Sequence, residues 1–185
     1  LTYFLQTKTG DYVLRRPPFG AQIKGGHDMG REFRVLTTLQ AAGFPKTPKP
    51  VLFCEDETVL GAPFYVMERV NGVILRATSA KNEALTPELM RNLCENLIDT
   101  LADLHALDVE KTGLLALGKP EGYVRRQVEG WIGRYEKAQT DAIPAMDELA
   151  IWLRGNLPSE QLSVSTAAAF LHNDFKFDNV VLSPD

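Results

Sequence analysis

The sequence predicts an α+β fold in two lobes, an antiparallel-sheet small lobe followed by a mostly helical large lobe. Three observations lead there. Up to residue 70 the order of patterns is β, β, helix, β, β, with each β-rich run only a few residues long. At Asn71-Gly72, a turn signal, the composition shifts to long helical patterns. Near the end of the chain, Phe170-Leu171 and Val180-Val181-Leu182 enclose a polar loop, the layout of two short strands presenting it. The small lobe is therefore set at residues 1–70 and the large lobe at 71–185, with an insertion over about 108–168.

Leu1 to Thr7 and Tyr12 to Arg16 are β-rich and are joined by the turn signal Lys8-Thr9-Gly10-Asp11, so they predict two antiparallel strands. Pro17-Pro18 ends the second. Alternation puts Val13 and Arg15 on one face and Leu14 and Arg16 on the other. A helix is predicted from Asp28 to Ala42, after the glycine-rich stretch Gly20 to Gly30. Asp28 is its N-cap and Gly43 its stop, and Met29, Phe33, Leu36 and Leu39 form an apolar stripe. Glu32 lies beside that stripe. An acid facing the sheet there needs a cation, and Arg15 or Arg16 is available; a solvated rim glutamate is the alternative. Gly43 to Pro50 is a proline-rich connector. Strands follow at Val51 to Glu55 and Pro63 to Val70.

In the large lobe, Thr86 caps a helix with Pro87 in its first turn. It runs to about Leu107, with Leu89, Leu93, Leu97, Leu101, Leu104 and Leu107 on one stripe. His105 reads as a helix-end histidine favoured by the dipole. Two further helices are expected, over Gly122 to Gln139 and Pro144 to Arg154, and a polar stretch to Thr166 leads to the loop.

Composition narrows the function classes. With 44% hydrophobic residues among 185, the chain has enough apolar material for a core, and its net charge of −4 argues against a partner held by nucleic-acid phosphates. No apolar run approaches a membrane span, and no signal peptide opens the chain. Cys54 and Cys94 lack metal-ligand spacing and read as free thiols in a reducing cytosol, which predicts a cytoplasmic protein. The chain opens without Met, already in a strand pattern, and stops just after the loop, which reads as a fragment cut at both ends.

The loop itself carries chemistry. His172-Asn173-Asp174-Phe175-Lys176-Phe177-Asp178-Asn179 contains His-x-Asp, four residues, then Asn. In a kinase catalytic loop that Asp accepts the proton of the attacking hydroxyl and the Asn holds a magnesium ion. A carboxylate and an amide oxygen that must reach nucleophile and metal together have to leave one tight turn on the same side. A surface loop rich in Asp and Asn is the bland alternative. A His172/Asp174 metal hydrolase has no accompanying ligand cluster in the sequence.

Taken with Phe64-Tyr65-Val66-Met67-Glu68-Arg69-Val70-Asn71-Gly72, Tyr12 to Pro18 and Arg31-Glu32-Phe33, the loop makes the whole chain resemble the aminoglycoside-phosphotransferase-like branch of the protein-kinase-like fold. It is most similar to the kinase-like domains associated with acyl-CoA dehydrogenases. The resemblance implies ATP and magnesium (Mg2+) as cofactors, Asp174 as catalytic base, Asn179 as metal ligand, and Lys176 near the γ-phosphate. Arg15 would stand where the phosphate-binding lysine usually sits, gripping phosphate oxygens with its planar fork. Glu32 would steady it. Met67 would back the adenine pocket, and the Glu68 carbonyl and Val70 N–H would bond the adenine edge. Asn173 stands where this family often has glycine and protein kinases have arginine, which implies no control by a phosphorylated activation loop. A phosphate-covering glycine-rich turn before Leu1 is missing, as is a second metal-binding Asp expected beyond residue 185, so the fragment alone is expected to be inactive.

The expected activity is phosphoryl transfer to an alcohol hydroxyl of a small molecule, best matched by a hydroxyacyl-CoA. The insertion between Leu107 and His172 would wall the acceptor site, unlike an open peptide platform. Its helix Tyr123 to Lys137 carries more cations than anions, Arg125 and Arg126 among them, plus three large aromatics. Arginines beside aromatics suit an anionic, adenine-bearing thioester better than a polycationic aminoglycoside. Alternatives are an aminoglycoside or choline-like amino-alcohol kinase and, in another class, a non-catalytic nucleotide-binding module. An acyl-CoA dehydrogenase, fused or separate, is the expected partner.

Overall fold

A computed structural model describes residues 1–20, 28–76, 85–158 and 168–183. Most of the glycine-rich stretch, most of the polar stretch before the loop, and Asp185 lie outside these residues. The architecture is α+β. Strands β1 (Thr2–Gln6), β2 (Asp11–Arg15), β3 (Pro50–Cys54) and β4 (Phe64–Glu68) form one antiparallel sheet in the order β1-β2-β4-β3. The β1–β2 turn closes where Thr7 donates both its N–H (3.0 Å) and its hydroxyl (2.9 Å) to the Gly10 carbonyl. This places Gln6 opposite Asp11 and sets the register of the hairpin.

Helix α1 (Met29–Ala41) starts where the Asp28 carboxylate accepts the Arg31 N–H at 2.8 Å. It ends at Gly43, whose φ of +78° suits glycine, as the Phe44 N–H returns to the Leu39 carbonyl at 3.0 Å. Phe33 on α1 stacks on Phe53 of β3 (centroids 5.6 Å apart) and tilts against Tyr65 of β4 (6.2 Å). A one-turn helix, α2 (Glu57–Leu60), follows β3. It was not expected from sequence, although Asp56 caps it through the Thr58 N–H at 2.9 Å and Gly61 closes it at φ +75°. Four residues are too few for a periodic pattern to show.

Helix α3 (Pro87–His105) has the expected cap, Thr86 Oγ1 accepting the Leu89 N–H at 3.2 Å. Its leucine stripe is buried unevenly: among its described residues only Leu104 is fully buried, while Leu89 is exposed. The partners of α3 gather at its C-terminal end. There Leu104 packs with Leu39, Phe44 and Leu114, flanked by Val35, Leu107, Val109, Leu117 and Phe170. Leu114 belongs to a 3₁₀ turn, Leu114–Leu117, also absent from the sequence expectation. The connector joins this arrangement, since Lys46 Nζ reaches Asp103 (3.0 Å) and Thr100 (3.2 Å) of α3.

Two compact units emerge. The first comprises residues 1–117 and 169–185 and holds both the sheet, expected as the small lobe, and α3 with the polar loop. The second comprises residues 118–168, with helices α4 (Tyr123–Ala138) and α5 (Pro144–Gly155). Within it, Arg154 on α5 donates to Glu129 on α4 through Nε (3.1 Å) and Nη2 (3.0 Å). No helix of the described residues is long and apolar enough to cross a membrane.

The runs around the loop correct one expectation. Phe170-Leu171 is not a strand, and Val180 to Leu182 contributes a single antiparallel bridge, Leu182 to Val73, with hydrogen bonds of 2.9 and 2.8 Å. A β-rich run becomes a strand only where a second chain segment supplies a ladder, and here one residue does. The bridge is tight: a Cβ on Gly72 would meet the Leu182 carbonyl carbon and Val181 Cγ1 at 2.8 Å each, and would clash with the Leu182 oxygen. Glycine at 72 thus lets the return from β4 lie against the chain leaving the loop.

Candidate active site

The loop turns sharply at Asn173, whose φ of +63° is a left-handed conformation that asparagine tolerates better than most residues. That is the position where glycine is common in the family the chain resembles. Beyond it, Lys176 is extended, and a 3₁₀ turn over Phe177–Asn179 is tied by the Asn179 N–H to the Lys176 carbonyl at 2.9 Å. The turn folds Asn179 back onto Asp174. Asn179 Nδ2 donates to both the Asp174 carbonyl (2.9 Å) and its carboxylate Oδ2 (2.8 Å), while Lys176 Nζ lies 3.0 Å from Oδ1. His172 meets the edge of Phe175 at 5.2 Å and supports the bend. The hydrogen bond from Lys176, then that from Asn179, holds the exposed Asp174 carboxyl below its ordinary range. Asp174, Lys176 and Asn179 are thus brought together in one turn.

A second cluster sits on the sheet. Arg15 lies opposite Tyr65, and Val13 opposite Met67, so these four side chains share a face. Helix α1 lies on that face and lowers Glu32 to Arg15. Arg15 Nη2 donates to Glu32 Oε1 at 3.5 Å. The buried Nε is 3.1 Å from Oε2, a charge contact without hydrogen-bond alignment. Of the two arginines open as partners for Glu32, Arg15 is the one that meets it. Arg16, on the other face, is buried at 7% exposure and donates to the Leu60 carbonyl at 2.7 Å, beneath Phe19.

Met67 is half-buried, and Glu68 and Val70 are exposed at the end of β4. The Glu68 N–H is taken by the Lys49 carbonyl at 2.8 Å. The residue that the sequence reading missed is Tyr65, whose hydroxyl donates to Glu32 Oε2 at 2.9 Å. Alternation places it on the face of Met67, but only the strand register sets it opposite Arg15.

In the second unit, Arg126, singled out from sequence, donates its fork to the carbonyls of Lys119 and Glu121 and secures the turn entering α4. Arg134 lies 4.6 Å above the ring of Trp131, which is 64% exposed. Among the described residues, no three His, Cys, Asp or Glu side chains gather to hold a metal.

The model of the phosphotransferase enzyme family matches residues 1–185. The chain is 40% identical over 183 residues to acyl-CoA dehydrogenase family member 11 of Rattus norvegicus, an alignment covering 99% of this chain and 23% of that protein. With acyl-CoA dehydrogenase family member 10 of Mus musculus it shares 34% identity over 184 residues, covering 100% of this chain and 16% of that protein. It therefore spans less than a quarter of these relatives' length. A crystal structure from Ralstonia eutropha JMP134, provisionally described as an aminoglycoside phosphotransferase, matches with a TM-score of 0.79 at 32% identity. That match covers 99% of this chain and 51% of the other.

Proposed function

We propose, on the premise that this chain belongs to the phosphotransferase enzyme family, that it serves ATP- and magnesium-dependent phosphoryl transfer to a hydroxyl of a hydroxyacyl-CoA. The observation that carries the reading is the turn in which Asn179 and Lys176 grip Asp174 from two sides. The acceptor oxygen attacks the γ-phosphorus as the bond to the β–γ bridging oxygen breaks. That electron pair leaves with ADP, and the hydroxyl proton goes to Asp174. A carboxyl held below its usual range is a weak base towards an alcohol at rest. Its work is to orient the hydroxyl and to take the proton once the oxygen has begun to bond to phosphorus.

The donor set fits magnesium, since Asn179 commits its amide nitrogen to Asp174 and leaves the amide oxygen, a hard neutral ligand, for the cation. When bound, that ion neutralises charge on the phosphates. Lys176 would touch the γ-phosphate, and Arg15, steadied by Glu32, would hold phosphate oxygens. Met67 would back the adenine, with the Glu68 carbonyl and Val70 N–H on its edge. Residues 1–70 would act as the nucleotide lobe and 71–185 as the acceptor lobe. We place the activity in the cytoplasm, beside an acyl-CoA dehydrogenase domain. The free thiols Cys54 and Cys94 and the names of the relatives support this.

Among acceptors, the exposed Trp131–Arg134 pair on α4 favours a thioester of coenzyme A, which offers adenine for stacking and phosphates for the cation. In the complete protein, kcat/KM for a 4-hydroxyacyl-CoA should exceed that for kanamycin, and Arg134→Glu should weaken only the thioester reaction. A preference for kanamycin or choline would end the substrate proposal. Lack of phosphoryl transfer to any alcohol would support a nucleotide-binding module.

The loop also sets a pH response. Because the Asp174 pKa is depressed, its carboxylate is present at neutral pH and is lost only as pH falls below the ordinary carboxyl range. Lys176→Met removes the first cause of that shift. The acid limb of kcat/KM should then move to higher pH, as should the Asp174 titration followed by carboxyl NMR.

A further inference from the structure

We propose that Tyr65 is a positioning residue for the phosphate grip: its hydroxyl fixes Glu32, and Glu32 in turn aims the Arg15 guanidinium. The inference rests on the reading of Arg15 as phosphate-binding and extends it to a side chain with no assigned role.

Three observations carry it. First, the Arg15–Glu32 pair cannot hold itself. The two side chains are 36% and 31% exposed, the only aligned hydrogen bond spans 3.5 Å, and the closer Nε contact is off-axis. A half-exposed ion pair of this kind leaves two long side chains free to reorient. Second, the shorter, directional bond to Glu32 comes from Tyr65, at 2.9 Å on the same Oε2 that Arg15 Nε approaches. The carboxylate is thus pinned by the neutral donor and presented to the cation.

Third, the donor is itself fixed. Tyr65 is 3% exposed, sits directly opposite Arg15 in the β2–β4 register, and is wedged by Phe33, which stacks on Phe53. A tyrosine has two side-chain torsions, and the packed ring stills both. Burial also raises the phenol's pKa well above its ordinary value, so the hydroxyl remains a donor across the working pH range. Arg15 is then oriented through a chain that begins in the sheet's buried layer and ends at a part-exposed fork. A fork aimed before the ligand arrives loses less freedom on binding.

The test is calorimetry on the complete protein with two probes, MgATP and adenosine, which share the base and differ in the phosphates. Tyr65→Phe keeps the ring and removes one hydroxyl. It should weaken MgATP about three- to tenfold, the scale of one such hydrogen bond, and leave adenosine unchanged. On a Glu32→Ala background the same change should do nothing further. In turnover, KM for ATP should rise more than kcat falls.

If Tyr65→Phe binds MgATP like the parent while Arg15→Ala weakens it, the tyrosine proposal is overturned and the arginine grip stands. Equal losses for MgATP and adenosine mean that Tyr65 only shapes the sheet, and also overturn it. If Arg15→Ala binds MgATP normally, the grip reading fails and takes this proposal with it.

Discussion

Asp174→Asn lowers kcat for phosphoryl transfer by roughly a hundredfold or more, the usual scale for removing a general base, with MgATP affinity little changed. The substitution is close to isosteric. The Asn179 bond to the backbone carbonyl at 174 does not depend on the side chain and should persist, so the metal-ligand candidate keeps its place. What disappears is the anion proposed to orient the acceptor hydroxyl and receive its proton. Lys176 loses the charge, though not necessarily the hydrogen-bond acceptor, that it meets at 3.0 Å, and so is no less free to reach the phosphates. Single-turnover kinetics beside calorimetry separate the two effects. Near-normal turnover in the variant would show that the proton leaves by another route.

Leu104→Ala destabilises the fold by about 2–5 kcal/mol, the range for a buried leucine whose surroundings do not collapse into the space. Leu104 joins Leu114 and the pair Leu39 and Phe44 from the end of α1, so its partners come from two separate stretches of chain and no local adjustment fills the gap. Urea unfolding should show a lower midpoint at an unchanged slope. A matched change at Leu89, exposed near the start of α3, should cost well under half as much. Equal losses at the two positions would mean that the stripe is buried along its whole length.

The contrast between those two leucines marks what was legible in the sequence. Local signals were read directly: the cap at Asp28, the Thr86-Pro87 start and the stop at Gly43 all fix element ends through bonds within a few residues. The heptad-like stripe of α3 was equally visible, but its periodicity says which face is apolar and not how far partners cover it. The same limit hid Tyr65. Its strand and its face follow from alternation, yet its place opposite Arg15 comes from pairing two strands 50 residues apart in the chain. Periodicity could not choose between Arg15 and Arg16, because both lie in one strand; the side on which α1 settles makes the choice. Arg126 illustrates the opposite limit. Charge count suggested a ligand contact, whereas the fork is occupied by two carbonyls of the preceding turn. The loop's Asp-Asn spacing was the most readable part, since its geometry closes within six residues.

Helix α1 is anchored at the end remote from Glu32. Leu39 and the Phe44 that follows the helix are buried against Leu104 and Leu114, and Lys46 ties the next residues to Asp103. Swinging the helix outward to part Glu32 from Arg15 would draw those two side chains into water, at about 1.5–3 kcal/mol each. At equilibrium the disengaged form would then be a minor species, of the order of one molecule in a hundred or fewer. A regulator that parted Glu32 from Arg15 by moving α1 outward would have to overcome that burial first.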